Sequence, residues 1–323
     1  MSLRVVFSVD VEEEGLFSGR YAPVAEGVSN VARLRRLEFV TREFGVPLTL
    51  LCTWPVLNDP GCRDILRRWR EELGAEIAAH LHPWNTPPLS GAPGQAWTPS
   101  ENMDTELLDA KLAELAHACR AATGEAPASF RMGRFDLGPK VRALLPRHGF
   151  RVDGSIVPVS WSPALPEAFL SPADPYLLPV AGGAAITEAP VTMVPLSPAL
   201  RKAAWRLACG LGPGAGGWFL RRFHVLGAAG TLPTWFPLAS MKLAVQLHLS
   251  RGGNVVHLFL HSSELMPGCA PHVSDEAAVS RVVARTRGLL HWLRRRAEPL
   301  GGMRGATMAS LAVPPRPQGE ARA

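Results

Sequence analysis

Cysteine is scarce in this sequence. The 323 residues contain five (Cys52, Cys62, Cys119, Cys209 and Cys269), an odd number, widely spaced and without a C-x-x-C pair. Such spacing argues against a disulfide framework or a structural zinc site and fits a reducing compartment. No run of about 18 uninterrupted apolar residues occurs, so no membrane-spanning helix is expected. The opening MSLRVVFSVDVEEE places one basic residue before a short apolar run that ends in acids. A leader's hydrophobic core and small-residue cleavage site are both missing, so the expected location is cytoplasmic. Basic residues are not interleaved with aromatics in a nucleic-acid pattern, which removes nucleic acid as an expected partner. A G-x-S-x-G elbow is also missing, and the cysteines lack neighbouring bases. Acyl-enzyme chemistry is therefore disfavoured.

Hydrophobic residues make up 47% of the chain and charged residues 19%, the balance of a globular protein. The net charge of +6 comes largely from arginine, with one cluster at Arg294-Arg295-Arg296, and reads as general attraction to anionic surfaces or phosphate-bearing ligands. Short apolar runs alternate with helical patterns from end to end. Strands are expected at Val5–Val9, Leu48–Cys52, Glu76–Ala79, Ser129–Met132, Phe150–Ile156, Ala185–Ala189 and Val255–His261. Helices are expected at Asn30–Phe44, Arg63–Leu73, Thr105–Ala122, Pro139–Arg147 and Asp275–Arg296. This rhythm implies parallel pairing through right-handed crossovers. The expected fold is α/β: a distorted, closed or nearly closed (β/α) barrel of seven to eight units, in one domain over residues 1–313. The Gly-, Trp- and Arg-rich stretch Pro198–Ser240 breaks the rhythm and reads as an insertion covering one face. The tail Pro314–Ala323 reads as disordered.

In a barrel of this kind, polar residues at the C-terminal ends of strands point into one cleft. The first strand ends in Asp10-Val11-Glu12, and alternation puts the two carboxylates on one side. Glu13 and Glu14 continue the run, so a solvated acidic loop is the plain alternative. The third strand ends in His80-Leu81-His82-Pro83-Trp84, whose two imidazoles at i and i+2 form a workable metal pair. Arg131 and Arg134 close the fourth strand, where they suit a carboxylate, a phosphate or a charged transition state, or simply pair with the acids of the first strand. His261 ends the last strand in Leu260-His261-Ser262-Ser263-Glu264. His257, deeper in that strand, reads as core.

Together with Asp153-Gly154-Ser155, these segments occur in the order of the motifs of the polysaccharide deacetylase superfamily, the family-four carbohydrate esterases, which this chain resembles over about residues 3–312. The resemblance implies Asp10 as catalytic base, Arg131 as the group orienting it, His261 as general acid on the leaving amine, and Asp153 as the residue tuning that histidine. It further implies one divalent ion, zinc or another first-row metal, at Glu12 and His80. Two departures stand out. The family spaces its metal histidines as H-x-x-x-H, and Trp84 occupies the second position. Either His82 substitutes, or the metal binds less tightly or is absent. Glu12 is longer than the usual aspartate, which leaves direct and water-mediated coordination open.

The implied reaction removes an N-acetyl group from an amino sugar in a glycan or glycoconjugate, by metal-activated water with an Asp base and a His acid. Trp84, Arg134, Glu264 and, from the insertion, Trp218 are the candidate substrate contacts. The insertion is expected to act as a lid or wall, its aromatics either stacking on sugar, packing on the barrel or touching a membrane surface peripherally. Two other readings stay open: an amidohydrolase acting on a small cyclic amide or ureide, and a non-catalytic carbohydrate-binding protein.

Overall fold

The computed structural model describes residues 2–19, 21–89, 98–180 and 185–313. The disordered tail expected from Pro314 onward lies outside them. In chain order the strands are β1 (Leu3–Val11), β2 (Leu48–Cys52), β3 (Glu76–Leu81), β4 (Ser129–Met132), β5 (Val152–Asp153) and β6 (Tyr176–Pro179). Then come β7 (Ala185–Glu188), β8 (Met193–Pro195), β9 (Ala228–Gly230), β10 (Val255–His261) and β11 (Met303–Ala306). The main sheet runs β10-β1-β2-β3-β4-β5-β7, all parallel, with β6 antiparallel at its edge. The most central strands are apolar on both faces, as helix-covered parallel strands must be: LRVVFSVDV and LTLLC are buried almost throughout.

The sheet curls into the expected distorted (β/α) barrel, of the two forms the nearly closed one and not the closed one. Among the described residues β10 and β7 do not pair. The gap is bridged by Thr192, which donates its backbone N–H to His257 O at 3.1 Å and accepts the His257 N–H on Oγ1 at 2.8 Å. β11 pairs with Leu3–Val6 of β1 below the point where β2 begins. That approach requires glycine at 305, where a Cβ would lie 2.2 Å from Gly45 O.

The helices follow local rules where the sequence is periodic. The helix Pro60–Leu73 has Pro60 in its first turn and Asp59 as N-cap, accepting the Cys62 N–H at 2.8 Å. It buries Cys62, Leu66, Trp69 and Leu73, spaced for one face, and stops at left-handed Gly74. Elsewhere expectation and structure part. Asn30–Phe44 divides into a 3-10 segment, Ser29–Leu37, and a short α-helix, Glu38–Phe44. Phe150–Ile156 contributes only two strand residues. The insertion contains a helical hairpin, Pro198–Gly227, which turns at Gly212 (φ 78°) and Pro213 and returns so that Leu196 N–H reaches Gly227 O at 2.8 Å. Its C-terminal bound also moves: the helix Leu238–Ser250 starts inside the expected insertion.

Candidate active site

Four strand ends converge. Asp10 on β1 lies level with His261 on β10, its parallel neighbour. His80 on β3 and Arg131 on β4 reach across β2 toward β1. Arg131 is fully buried and each of its nitrogens is used. Nη1 donates to Asp10 Oδ1 at 2.5 Å, Nη2 to Ser8 Oγ at 2.9 Å and Nε to Gly154 O at 2.7 Å. Phe135 and Phe259 flank the guanidinium at 5.5 and 4.8 Å from their ring centres. Ser8 in turn meets His257 Nε2 at 2.8 Å, and His257 Nδ1 donates to Ala189 O at 3.0 Å. Burial, then Arg131, pushes the His257 pKa down to about 3, so its imidazole is neutral and accepts from Ser8. His257 thus belongs to the chain of contacts that holds Arg131. Burial alone would push the Asp10 carboxyl up, but Arg131, His80 and His261 outweigh it and hold the pKa below the usual carboxylate value.

Glu12, His80 and His82 are buried, and one ligand atom from each lies within 4.8 Å of the others. His80 Nδ1 faces Arg131 O at 3.1 Å, and His82 Nδ1 faces Glu13 Oε1 at 2.8 Å. Both Nδ1 atoms must donate, because their partners only accept. Both Nε2 lone pairs then face Glu12 Oε2, each at 3.6 Å. Three electron-rich atoms turned toward one point repel unless a cation or a proton sits among them. The donor set therefore fits a divalent ion. Although burial opposes it, the carboxylates of Asp10 and Glu12 raise the His80 pKa.

Glu13, which sequence patterning left among the solvated acids, organises this trio. Oε1 accepts from His82, from Asn85 Nδ2 at 2.5 Å and from Trp84 Nε1 at 3.3 Å; Oε2 accepts from Thr53 at 3.0 Å. Burial pushes Glu13 up, yet His82 and these donors bring its pKa down to about 2. Gly133 fits the same packing, since a Cβ there would lie 2.6 Å from His82 Cδ2 and 2.7 Å from Leu81 O. The next two residues, Arg134 and Phe135, take left-handed φ of 59° and 55°, strained for non-glycine residues.

Three assignments change. Asp153 was expected to tune His261, but its carboxylate accepts from Ser155 Oγ at 2.6 Å and shares a buried site with Glu188. Burial raises both acids, and their mutual repulsion raises Glu188 further. The carboxylate beside His261 is Glu264, with Oε2 at 3.5 Å from Nδ1 and accepting the His261 backbone N–H at 2.9 Å. Glu264 is buried there and does not line the cavity, so it is not placed as a substrate contact. Burial would lower the His261 pKa, but Glu12 and Glu264 raise it to about 9. Trp218 is exposed on the hairpin, outside the cavity lining, and no residue of 198–240 lines it.

The cavity itself measures about 250 Å³ and is lined by Asp10, Glu12, His80, His82, Trp84, Arg134 and His261. Leu16, Phe17, Tyr21 and Phe135, which sequence reasoning missed, complete it. Tyr21 packs on Trp84 at 4.7 Å, Trp84 stacks on His82 at 4.2 Å, and Phe17 meets His261 edge-on at 5.3 Å.

No family model matches the sequence, and no curated protein matches it in sequence. Solved structures do match. A protein of Mycobacterium smegmatis described as a polysaccharide deacetylase superposes with a TM-score of 0.50 at 15% identity, over 94% of this chain and 92% of that one. A glycoside hydrolase/deacetylase of Parabacteroides distasonis gives 0.61 at 12% identity, over 96% and 70%. The chain has the fold of the polysaccharide deacetylases. A 4-alpha-glucanotransferase of Thermococcus litoralis also superposes, with 0.53 at 14% identity over 98% of this chain and 41% of that one. The polysaccharide-deacetylase fold is thus shared with a protein named for another chemistry, and function must be argued from the cleft.

Proposed function

We propose that the cleft removes an N-acetyl group from an amino sugar in a glycan or glycoconjugate, with one divalent ion held by Glu12, His80 and His82. The observation that carries this reading is the pair of Nε2 lone pairs facing Glu12, beside the Asp10–Arg131 pair and one strand from His261. When bound, the ion supplies Lewis acidity toward water and the amide carbonyl. Asp10, oriented by Arg131, takes a proton from water as its oxygen bonds to the acetyl carbon. His261 protonates the sugar nitrogen as the C–N bond breaks, leaving acetate and a free amine. Arg131, tied to Asp10, Ser8 and Gly154, keeps the base from rotating away. Trp84, Tyr21 and Phe17 line the cavity and give it aromatic surface against which a sugar packs, with Arg134 beside them.

Glycosyl transfer, which the Thermococcus neighbour invites, calls for two available carboxyls flanking a glycosidic bond. Here Asp10 is held by Arg131, and Glu12 faces two imidazoles. Acetate release from N-acetylated oligosaccharides tests the proposal, with elemental analysis, chelation and metal add-back on the same preparation. Acetate release that falls on chelation and returns with metal is expected. Full activity in metal-free protein would overturn the metal's role. Turnover of cyclic ureides without acetate release would move the site to amidohydrolase chemistry, and metal binding without any turnover would leave a binding protein.

A further inference from the structure

The helical hairpin Pro198–Gly227 is apolar on two sides: Trp205, Phe219 and Phe223 pack half-buried against the protein with Ala204, Ala208 and Leu220, and a second set of apolar side chains faces outward. Its first arm buries Ala204 and Ala208 and presents Leu200, Leu207 and Leu211 outward. Those leucines are spaced i, i+7 and i+11, which aligns them along one face. The returning arm buries Gly216, Gly217 and Leu220 and exposes Trp218, Arg221, Arg222, Val225 and Leu226. The apolar members of the two faces are between 50% (Leu211) and 80% (Leu226) exposed. The hairpin is itself well packed: a Cβ at Gly216 would lie 2.3 Å from Ala208 O, so the two arms touch through backbone. The outward leucines are therefore a property of a defined surface.

Charge on this part of the chain has one sign. From Ala189 to Ser263 there are 75 residues without a single Asp or Glu, and seven Lys or Arg. At the foot of the hairpin a second cavity of about 250 Å³ is lined by Arg201 and Arg251, with His248 and Asp174. Asp174 is occupied by His248 and by the backbone N–H groups of Asn254 and Val255. Among the described residues neither arginine makes an ion pair: Arg251 donates to the carbonyls of Pro195 and Leu196, Arg201 to that of Ser171. Arg201 Nε is buried without a hydrogen-bond partner.

We propose that this face docks on an anionic lipid bilayer. Leucines, Trp218 and Val225 would enter the boundary between headgroups and acyl chains, and the basic residues would meet headgroup phosphates. Exposed apolar and cationic side chains interleaved along both arms match a layer that offers hydrocarbon and negative charge together. A second copy of the same face offers only like charge, which opposes self-association. The inference does not depend on the reaction in the cleft, since no hairpin residue lines it.

Flotation of the full chain with equimolar phosphatidylglycerol and phosphatidylcholine vesicles, against phosphatidylcholine alone, tests it. Binding is expected to the anionic vesicles only and to weaken as salt rises. Arg221→Gln with Arg222→Gln should weaken it about thirtyfold. Leu207→Glu with Leu211→Glu should abolish it, and both variants should melt like the wild type because the altered side chains are exposed. No binding to anionic vesicles, equal binding to neutral ones, or undiminished binding by either variant would overturn the proposal. A concentration-dependent dimer in sedimentation, lost on Leu207→Glu and without vesicle binding, would assign the face to a second copy instead.

Discussion

The cleft at the top of the sheet and the hairpin on its flank solve opposite problems. In the cleft, charged groups are buried and nearly every one is spoken for. Arg131 spends all its nitrogens on Asp10, Ser8 and Gly154, and Glu13 gathers four donors. Burying a charge is costly unless it is paired and hydrogen-bonded, so such a network tolerates little change. On the hairpin, large apolar side chains stand in water and basic groups have no acidic counterpart within the segment. The first region is organised inward around its own groups; the second leaves its interactions unmade. Substitutions that are drastic in one place should be nearly silent in the other.

The largest effects are expected from the proton-transfer groups. Asp10→Asn and His261→Ala should each lower kcat for acetate release by about 10²- to 10⁴-fold with folding intact. Near-normal turnover in either would remove its assigned role in proton transfer.

The deepest histidine offers the next test, through stability. The His257 pKa is about 3 in the folded chain, against 6.5 as the ordinary value. Between those two pH values the unfolded chain binds a proton that the folded chain refuses. Stability is therefore whole above about pH 6.5 and falls as pH drops toward 3. The contribution lost between pH 7 and pH 5 is about 2 kcal/mol. Glu188, raised by burial, pulls the opposite way over part of this window. The measurement is accordingly a difference: denaturant unfolding of wild type and His257→Gln at both pH values. The variant should start lower at pH 7, because Ser8 and Arg131 lose their support, and its deficit should shrink by that amount at pH 5. A constant deficit would mean that His257 titrates in the fold as it does in the unfolded chain.

Glu13→Gln should act more locally. It keeps the shape but weakens the hold on His82 Nδ1, and groups in this position typically govern metal affinity by about 10- to 100-fold. Metal titration of the purified variant reads this without reference to activity. Unchanged affinity would mean His82 is not a ligand.

The same contrast explains what could be read from the sequence. Asp10, Glu12, His80, Arg131 and His261 were legible because each closes an apolar strand run, and period-two alternation aims them at one point. Glu13 was not, because alternation carried one step past β1 puts Glu12 on the side of Asp10 and Glu13 on the other, and only the turn after Val11 brings Glu13 back against His82. Asp153 and Glu264 were misassigned for a related reason. Which carboxylate stands beside His261 depends on the turn following β10, and strand order does not encode that turn. Tyr21 and Phe17 sit in a segment without periodicity. The hairpin was hidden by GLGPGAGG, eight residues that signal a break and do make one at Gly212, but between two helical arms. Its leucines invert the usual rule, since a helical apolar stripe normally marks a buried face.

The smallest expected effect lies at these leucines, and it is the most direct measure of how the two regions differ. Leu207 and Leu211 are about half exposed, at 53% and 50%. Much of their side-chain surface meets water in the folded chain as it does in the unfolded one, so replacing them removes little transfer free energy. Leu207→Ser and Leu211→Ser should each change unfolding free energy by less than about 0.5 kcal/mol. Leu108 and Leu112 make the comparison fair: they have the same side chain, also lie on a helix, and are fully buried. Leu112→Ala should cost about 2–5 kcal/mol, because a cavity is left where the chain cannot collapse. Denaturant unfolding of the three single variants in vesicle-free buffer reads both numbers on one scale. If Leu207→Ser costs as much as Leu112→Ala, the hairpin leucines are packed inside the protein, and the surface proposed to meet a bilayer does not exist in solution. If the costs separate as expected, stability gives no reason for leucine at 207 and 211, and a partner outside the chain is left to account for them.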